Sequence, residues 1–108
     1  MDLRSLKEMF ATSVADSVSE RLKNSLAVTA VRLDKENIQI KIPDLKVASG
    51  NISVKLILTR NQGQMYSCKI LLDDVPEVLK NIKITNKYKG DIFVYCYGEQ
   101  PRNIHVVD

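Results

Sequence analysis

Few residues of this chain could do chemistry. His105 is the only histidine, and Cys68 and Cys96 are the only cysteines. A catalytic triad needs a nucleophile, a base and an orienting group, and a zinc site needs three or four clustered ligands. His105 alternates with Ile104 and Val106, so we expect its side chain on the wetter face of an edge strand rather than in a catalytic or metal site.

The two cysteines lie in apolar stretches and lack the spacing of zinc or redox motifs. We interpret Cys68 and Cys96 as reduced core residues of a protein in a reducing compartment, such as the cytoplasm. A disulfide between them is the alternative left open, because it requires Cα atoms within about 7 Å and a sequence does not give that distance.

One cluster of carboxylates is present, formed by Asp73, Asp74 and Glu77. Such a cluster could bind Mg²⁺ or act as general acid and base. However, Pro76 follows Asp74 closely and Glu77 comes three residues after it, which is the pattern of a helix start. Since phosphate-binding loops and paired metal-ligand motifs are also absent from the sequence, it predicts a non-enzymatic protein without a metal or cofactor.

The segment of greatest functional interest comprises residues 91–97. Interpreted as a strand, it places three aromatic side chains on one face and Ile92, Val94 and Cys96 on the other. An aromatic face beside basic residues is typical of surfaces that bind proteins or stack nucleic-acid bases. The candidate interaction surface therefore consists of Phe93, Tyr95, Tyr97, Lys87, Lys89 and Arg102.

The first element that could position these residues is an N-terminal helix. Apolar residues recur every three or four positions from Leu3 to Leu22, which predicts an amphipathic helix over about residues 3–23. Each step of four rotates this apolar stripe by about 40°, so a twisted sheet suits it better than a straight helix. Its many serines make it dependent on that sheet for stability.

From Leu26 onwards the apolar period changes to two, which indicates strands. A polar turn at residues 34–37 predicts a hairpin, and the change of phase at Pro43 predicts a bulge. We expect a short helix within residues 74–80, then strands near residues 82–84, 91–97 and 103–107, with a turn at residues 86–90.

These elements predict one α+β domain over residues 1–108. In it, the N-terminal amphipathic helix packs on a curved antiparallel sheet of about six or seven strands, with one short late helix. Successive strands are expected to be neighbours, which gives a meander.

The composition is that of an ordinary folded protein, with 44% hydrophobic and 27% charged residues and a net charge of +3. Basic and acidic residues are interspersed, which is weak support for polyanion binding. Acidic residues near the N-terminus argue against a transit peptide, and no apolar run reaches the roughly 18 residues of a membrane span. We therefore expect a soluble cytoplasmic protein, with association with a virion as an alternative.

The expected function is non-enzymatic protein–protein interaction, either as an adaptor or as a small structural subunit of a virion, secretion complex or other assembly. The partner would be another protein or a second copy, bound through sheet edges or the aromatic strand face. Two alternatives stay open. One is a single-stranded nucleic-acid or RNA-binding module that uses Tyr95, Tyr97 and nearby lysines. The other is a carrier with an apolar cavity between helix and sheet.

Overall fold

The computed structural model describes residues 3–24, 28–47, 50–61, 66–73, 75, 79–80, 82–97 and 104–107. The predicted α+β class is confirmed, but within these described ranges the sheet has five strands instead of six or seven. In chain order the elements are α1 (Leu3–Asn24), β1 (Val28–Arg32), β2 (Asn37–Val47), β3 (Gly50–Arg60), β4 (Tyr66–Asp73), α2 (Asn86–Tyr97) and β5 (Ile104–Val107).

Helix α1 forms where the sequence predicts it and lies against β2 and α2. Leu6 and Met9 are exposed, so the first turns of the apolar stripe do not reach the core. Arg21 and Lys23 lie in the last turn, where cations interact favourably with the partial negative charge of the helix end. The buried stripe is spaced by four residues and consists of Phe10, Val14, Val18 and Leu22.

The predicted turn between β1 and β2 is held by Asp34. Its Oδ1 accepts the backbone N–H of Glu36 at 2.8 Å and that of Asn37 at 2.9 Å. The side-chain amide of Asn37, and then the backbone of Glu36, hold the pKa of Asp34 below its usual value. The hydroxyl of Thr59 donates to the side-chain oxygen of Asn37 and thereby ties this turn to β3.

The predicted bulge in β2 is also present. The register of β2 on β3 shifts between Ile42 and Leu45. Asp44, which follows Pro43, has a φ of 65°, in the left-handed region that aspartate tolerates better than most residues. Because the bulge changes the phase of the strand, Ile42 and Leu45 are both buried.

The strand order is β4-β3-β2-β1-β5, and β1 to β4 form the predicted antiparallel meander. Strand β5 instead pairs in parallel with β1, with Val28 opposite Ile104 and Val31 opposite Val107. The sheet is therefore mixed, and the purely antiparallel prediction is wrong. The physical reason is the long connection from β4 to the opposite edge of the sheet, which lets β5 enter in the direction of β1.

Residues 86–97, predicted as a turn followed by a strand, form helix α2. The alternation of its residues fits a strand, but Tyr88, Ile92 and Cys96 are also spaced by four, which fits one face of a helix. The carbonyl of Thr85 accepts the N–H of Lys89 at 3.2 Å, which is the first hydrogen bond of the helix. Ile92 and Cys96 are buried, so tertiary packing overrides the strand preference of the β-branched and aromatic residues.

Two other predictions between β4 and β5 have different outcomes. Residues 82–85 have no regular secondary structure, so the strand predicted at 82–84 is wrong. The helix predicted at 74–80 falls largely outside the described residues, which include only 75, 79 and 80 of that range. The last predicted strand is confirmed as β5.

Both helices pack on the same face of the sheet, α1 against β2 and α2 against β4. The hydroxyl of Tyr88 in α2 donates a hydrogen bond to the carboxylate of Asp16 in α1, which raises the pKa of Tyr88. Cys68 and Cys96 are buried thiols, as the sequence predicts. The sheet contributes to the core chiefly through Ala30, Ile38, Ile40, Val54, Leu56 and Leu58.

Gly90 of α2 packs directly on Tyr66 of β4. A Cβ atom at position 90 would lie 2.6 Å from the hydroxyl oxygen of Tyr66. The ring of Tyr66 stacks on Phe93 with centroids 4.5 Å apart, so this hydroxyl cannot move away without disturbing the stacked rings.

Gly90→Ala is therefore expected to change the free energy of unfolding in two opposite ways. The higher helix propensity of alanine adds about 1 kcal/mol, and the displacement of Tyr66 subtracts from it. In a Tyr66→Phe background the clash is removed, and the full gain of about 1 kcal/mol in the free energy of unfolding should appear. Urea denaturation of the four proteins of this cycle measures the coupling. Equal effects of Gly90→Ala in both backgrounds would contradict the contact.

Candidate functional site: the open face of the sheet

The structure divides the aromatic surface predicted from the sequence. Phe93 and Tyr97 share one face of α2, with ring centroids 4.7 Å apart. Tyr95 points elsewhere, and the Nζ of Lys23 in α1 lies 5.6 Å from its ring centroid. Tyr95 is two positions from Phe93 and from Tyr97, and two positions on a helix correspond to a rotation of about 200° about its axis. The prediction that all three aromatic side chains share one face is therefore wrong.

Of the other predicted candidates, the structure describes Lys87 and Lys89 but not Arg102. Lys87 is exposed and Lys89 is half-buried near Cys68. His105 pairs with Thr29 at the backbone of the β5 edge. Of the acidic cluster, Asp73 ends β4, and residues 74 and 77 are again outside the described part. Within the residues that the structure describes, no group of three potential metal ligands comes together.

Phe93 and Tyr97 instead belong to an aromatic cluster that joins α2 to the sheet. Tyr66 stacks on Phe93, and the guanidinium carbon of Arg60 lies 5.8 Å from the ring centroid of Tyr97. The hydroxyl of Tyr97 is buried without a hydrogen-bond partner, and burial raises its pKa. These contacts fasten the helix, so we assign the cluster a structural role.

The feature that the sequence reasoning missed is the sheet face opposite the helices. Along each strand, alternate side chains point away from α1 and α2, and all of them are exposed or half-buried. We call this surface the open face. It is formed by Thr29, Val31, Asn37, Gln39, Lys41, Ser53, Lys55, Ile57, Thr59, Ser67, Lys69, Leu71, Asp73 and Val107.

Apolar side chains run across the open face. Val31 and Val107 are direct neighbours on β1 and β5, and they are 47% and 42% exposed. Ile57 and Leu71 lie further across the sheet and are half-buried. Adjacent exposed apolar side chains of this kind are typical of surfaces that contact another molecule.

The same face concentrates positive charge. Lys41 lies directly opposite Lys55, and Lys69 on β4 is diagonal to Lys55, since Lys55 pairs with Leu71 and Ile57 with Lys69. The carboxylate of Asp73 lies on the same face and is also diagonal to Lys55, but within the described ranges no salt bridge joins a carboxylate to any of these three lysines. Like charges directly opposite each other destabilise a sheet, so the arrangement opposes folding while nothing is bound.

A groove of about 420 Å³ opens at one end of this face, where the bulged part of β2 continues past the end of β1. Arg21 and Lys41 line it together with Thr29, Gln39 and the apolar Val31 and Pro43. Its described lining contains two cations and no carboxylate. The groove can therefore accept an anionic group beside an apolar one.

A second pocket, of about 490 Å³, lies between α1 and the bulge of β2. Leu45 is the one apolar residue among its described lining residues, which carry charges of both signs, including Glu20, Arg21, Asp44 and Lys46. A cavity for an apolar ligand would need an apolar lining, so this pocket is not the one that the carrier alternative requires.

The residues of the open face offer apolar area, cations and hydrogen-bonding side chains, so they can bind another molecule by contact. Neither α1 nor α2 is long and apolar enough to cross a membrane. No protein-family model, curated protein or solved structure matches this chain.

Proposed function

We propose that this protein is a non-enzymatic protein–protein interaction module, an adaptor or small structural subunit of a larger assembly, which docks its partner on the open face. The observation that carries this proposal is the exposure of Val31 beside Val107 on a sheet face that neither helix covers. A docked partner would remove both side chains from water. Fully burying a valine gives about 1.5 kcal/mol or more, so covering each half-exposed valine contributes roughly 1 kcal/mol.

The arrangement of the open face supports a protein partner over a nucleic acid. Bases stack on aromatic rings in single-strand binding proteins, and none of the residues named above for the open face is aromatic. Val31 and Val107 form an apolar area towards the β5 edge, and Lys41, Lys55 and Lys69 form a charged area on β2 to β4. Protein interfaces combine apolar and polar areas of this kind.

Sheet edges offer a second element of the same interface. Strands β4 and β5 are the edges of the sheet, and an edge strand presents backbone groups that can pair with another chain. Because β5 carries Val107 beside Val31, a partner on the open face can extend over this edge.

Selection of a displayed library of random peptides on the purified protein tests the proposal. Val31→Thr with Val107→Thr keeps the shape and β-branching of both side chains but removes apolar area. Val94→Thr is the matched control, because Val94 is equally exposed, at 50%, but lies on α2 on the other side of the sheet. We expect peptides that bind the wild type and the Val94→Thr control and lose about tenfold in affinity on the double variant.

Three outcomes would contradict docking on the open face: peptides that bind all three proteins equally, peptides lost only on Val94→Thr, and no enriched peptide at all. Circular dichroism and urea denaturation of the variants control for folding, since exposed substitutions of this kind change stability by about 0.5 kcal/mol or less.

A further inference from the structure

We infer that the partner of the open face is acidic: an extended or sheet-forming protein segment in which aspartate or glutamate alternates with apolar residues. This inference rests on the proposed function and specifies the chemistry of its partner.

The charge of the open face carries the inference. Lys41, Lys55 and Lys69 occupy three successive strands, and directly opposite side chains in a sheet have Cβ atoms about 5 Å apart. The Cβ atoms of the three lysines therefore lie within roughly 12 Å of one another. The lysines outnumber Asp73, the carboxylate of the same face, and no salt bridge joins it to them, so an incoming acidic segment would supply negative charge and reduce the repulsion between Lys41 and Lys55.

The apolar residues between these lysines favour an acidic protein segment over other negatively charged partners. Ile57 lies between Gln39 and Lys69 across the sheet, and Leu71 lies opposite Lys55. A segment with side chains alternating between acidic and apolar can meet both kinds of residue, since neighbouring strands place such residues side by side. A nucleic-acid backbone would neutralise the lysines but leave the apolar residues without a partner.

A second copy of the same chain fits this surface poorly. In a symmetric dimer the same patch meets itself, so lysines would face lysines across the interface. Like charges brought together at an interface are costly, which disfavours self-association through the open face.

The groove marks one end of the bound segment. Arg21 and Lys41 flank it, and Thr29 and Gln39 supply groups that can hydrogen-bond to a carboxylate. Val31 and Pro43 provide apolar walls in the same groove. An acidic side chain of the partner would enter here next to an apolar one.

Lys55→Glu is the decisive variant. It replaces repulsion from Lys41 by attraction, so the fold should be at least as stable as the wild type, and lost binding could not be attributed to unfolding. Lys87→Glu makes the same charge change at an exposed position on α2 and is the matched control. The probes are two synthetic peptides of equal length, one alternating glutamate with valine and the other glutamine with valine, and oligothymidylate of similar length.

We expect the glutamate peptide to bind about tenfold more tightly than the glutamine peptide in fluorescence anisotropy at about 50 mM salt, and less tightly at about 200 mM. Lys55→Glu should weaken the glutamate peptide at least about fivefold, whereas Lys87→Glu leaves it unchanged. These results together would support an acidic partner.

The contrary outcomes separate the two proposals. Equal binding of both peptides, with loss on the Val31→Thr and Val107→Thr double variant, would overturn the acidic partner and leave docking on the open face intact. Tighter binding of oligothymidylate than of the glutamate peptide, lost on Lys55→Glu, would overturn it in favour of nucleic acid. If neither peptide binds and the random library yields none, docking on the open face itself fails.

Discussion

Replacing Leu22 by alanine is expected to lower the free energy of unfolding by about 2–5 kcal/mol. Leu22 lies in the last turn of α1, is only 2% exposed and belongs to the main core cluster. Truncation removes buried apolar surface and leaves a cavity, because neighbouring side chains in a packed core relax only partly. This loss of stability would show that the sheet depends on the packing of α1.

Urea denaturation followed by circular dichroism measures this change. Met9→Ala is the matched control on the same helix, because Met9 is 59% exposed and its truncation should cost about 0.5 kcal/mol or less. A cost below about 1 kcal/mol for Leu22→Ala would show that α1 does not dock on the sheet in solution.

Raising the pH from about 9 to about 11 is expected to destabilise the protein through Cys68, by up to about 2 kcal/mol. Burial raises the pKa of this thiol from its ordinary value of 9.0 to about 11, against a smaller opposing effect of Lys89. The folded state therefore holds the proton more tightly than the unfolded chain does. This contribution to stability is complete below pH 9 and is lost as the pH rises through the folded pKa.

Cys68→Ala isolates the contribution of this thiol. The pKa values of Tyr88 and Tyr97 are also raised, so they add alkaline destabilisation to both proteins, and only the difference between the two pH profiles belongs to Cys68. We expect the stability of the wild type to fall more steeply than that of the variant between pH 9 and 11. Parallel profiles would mean that Cys68 is not buried in the folded state.

The elements that could be predicted from the sequence are those with local signals. The stripe of α1 has one clear period, and the turn at residues 34–37 contains its own hydrogen-bonding side chain in Asp34. The change of phase at Pro43 likewise predicts the bulge, because two apolar residues three apart cannot lie on one face of a regular strand.

Helix α2 could not be predicted with the same reasoning, because its residues alternate and also repeat with a spacing of four. The choice between strand and helix depends on contacts that form only in the folded chain, where Phe93 stacks on Tyr66 and the side chains of Ile92 and Cys96 are buried. The sequence contains one local signal for this helix, Thr85, a residue type favoured at the start of helices. A helix that begins there places the aromatic residues on helix faces instead of on one face of a strand.

The open face was partly visible in the sequence. Lys41, Lys55 and Lys69 each occupy a polar position in an alternating stretch, so each could be assigned to the solvent side of its strand. Their proximity depends on the registers of two hairpins, and a shift of one residue would move every side chain to the other face. The parallel pairing that brings Val107 next to Val31 depends on a still longer connection.

The change of candidate surface follows from these differences. The aromatic residues on which the sequence reasoning relied are used for attaching α2, with Phe93 and Tyr97 packed beside Tyr66. We therefore propose that a partner binds the open face instead, where Val31 lies beside Val107 and diagonal to Lys41.

Methyl NMR with a soluble paramagnetic reagent tests most directly whether the face opposite the helices is open. The methyl groups of Val94 report full exposure on α2, and those of Val14 and Val18 report the core. We predict that the methyl groups of Val31 and Val107 relax nearly as fast as those of Val94. Relaxation of Val31 and Val107 as slow as that of Val14 and Val18 would contradict an open face.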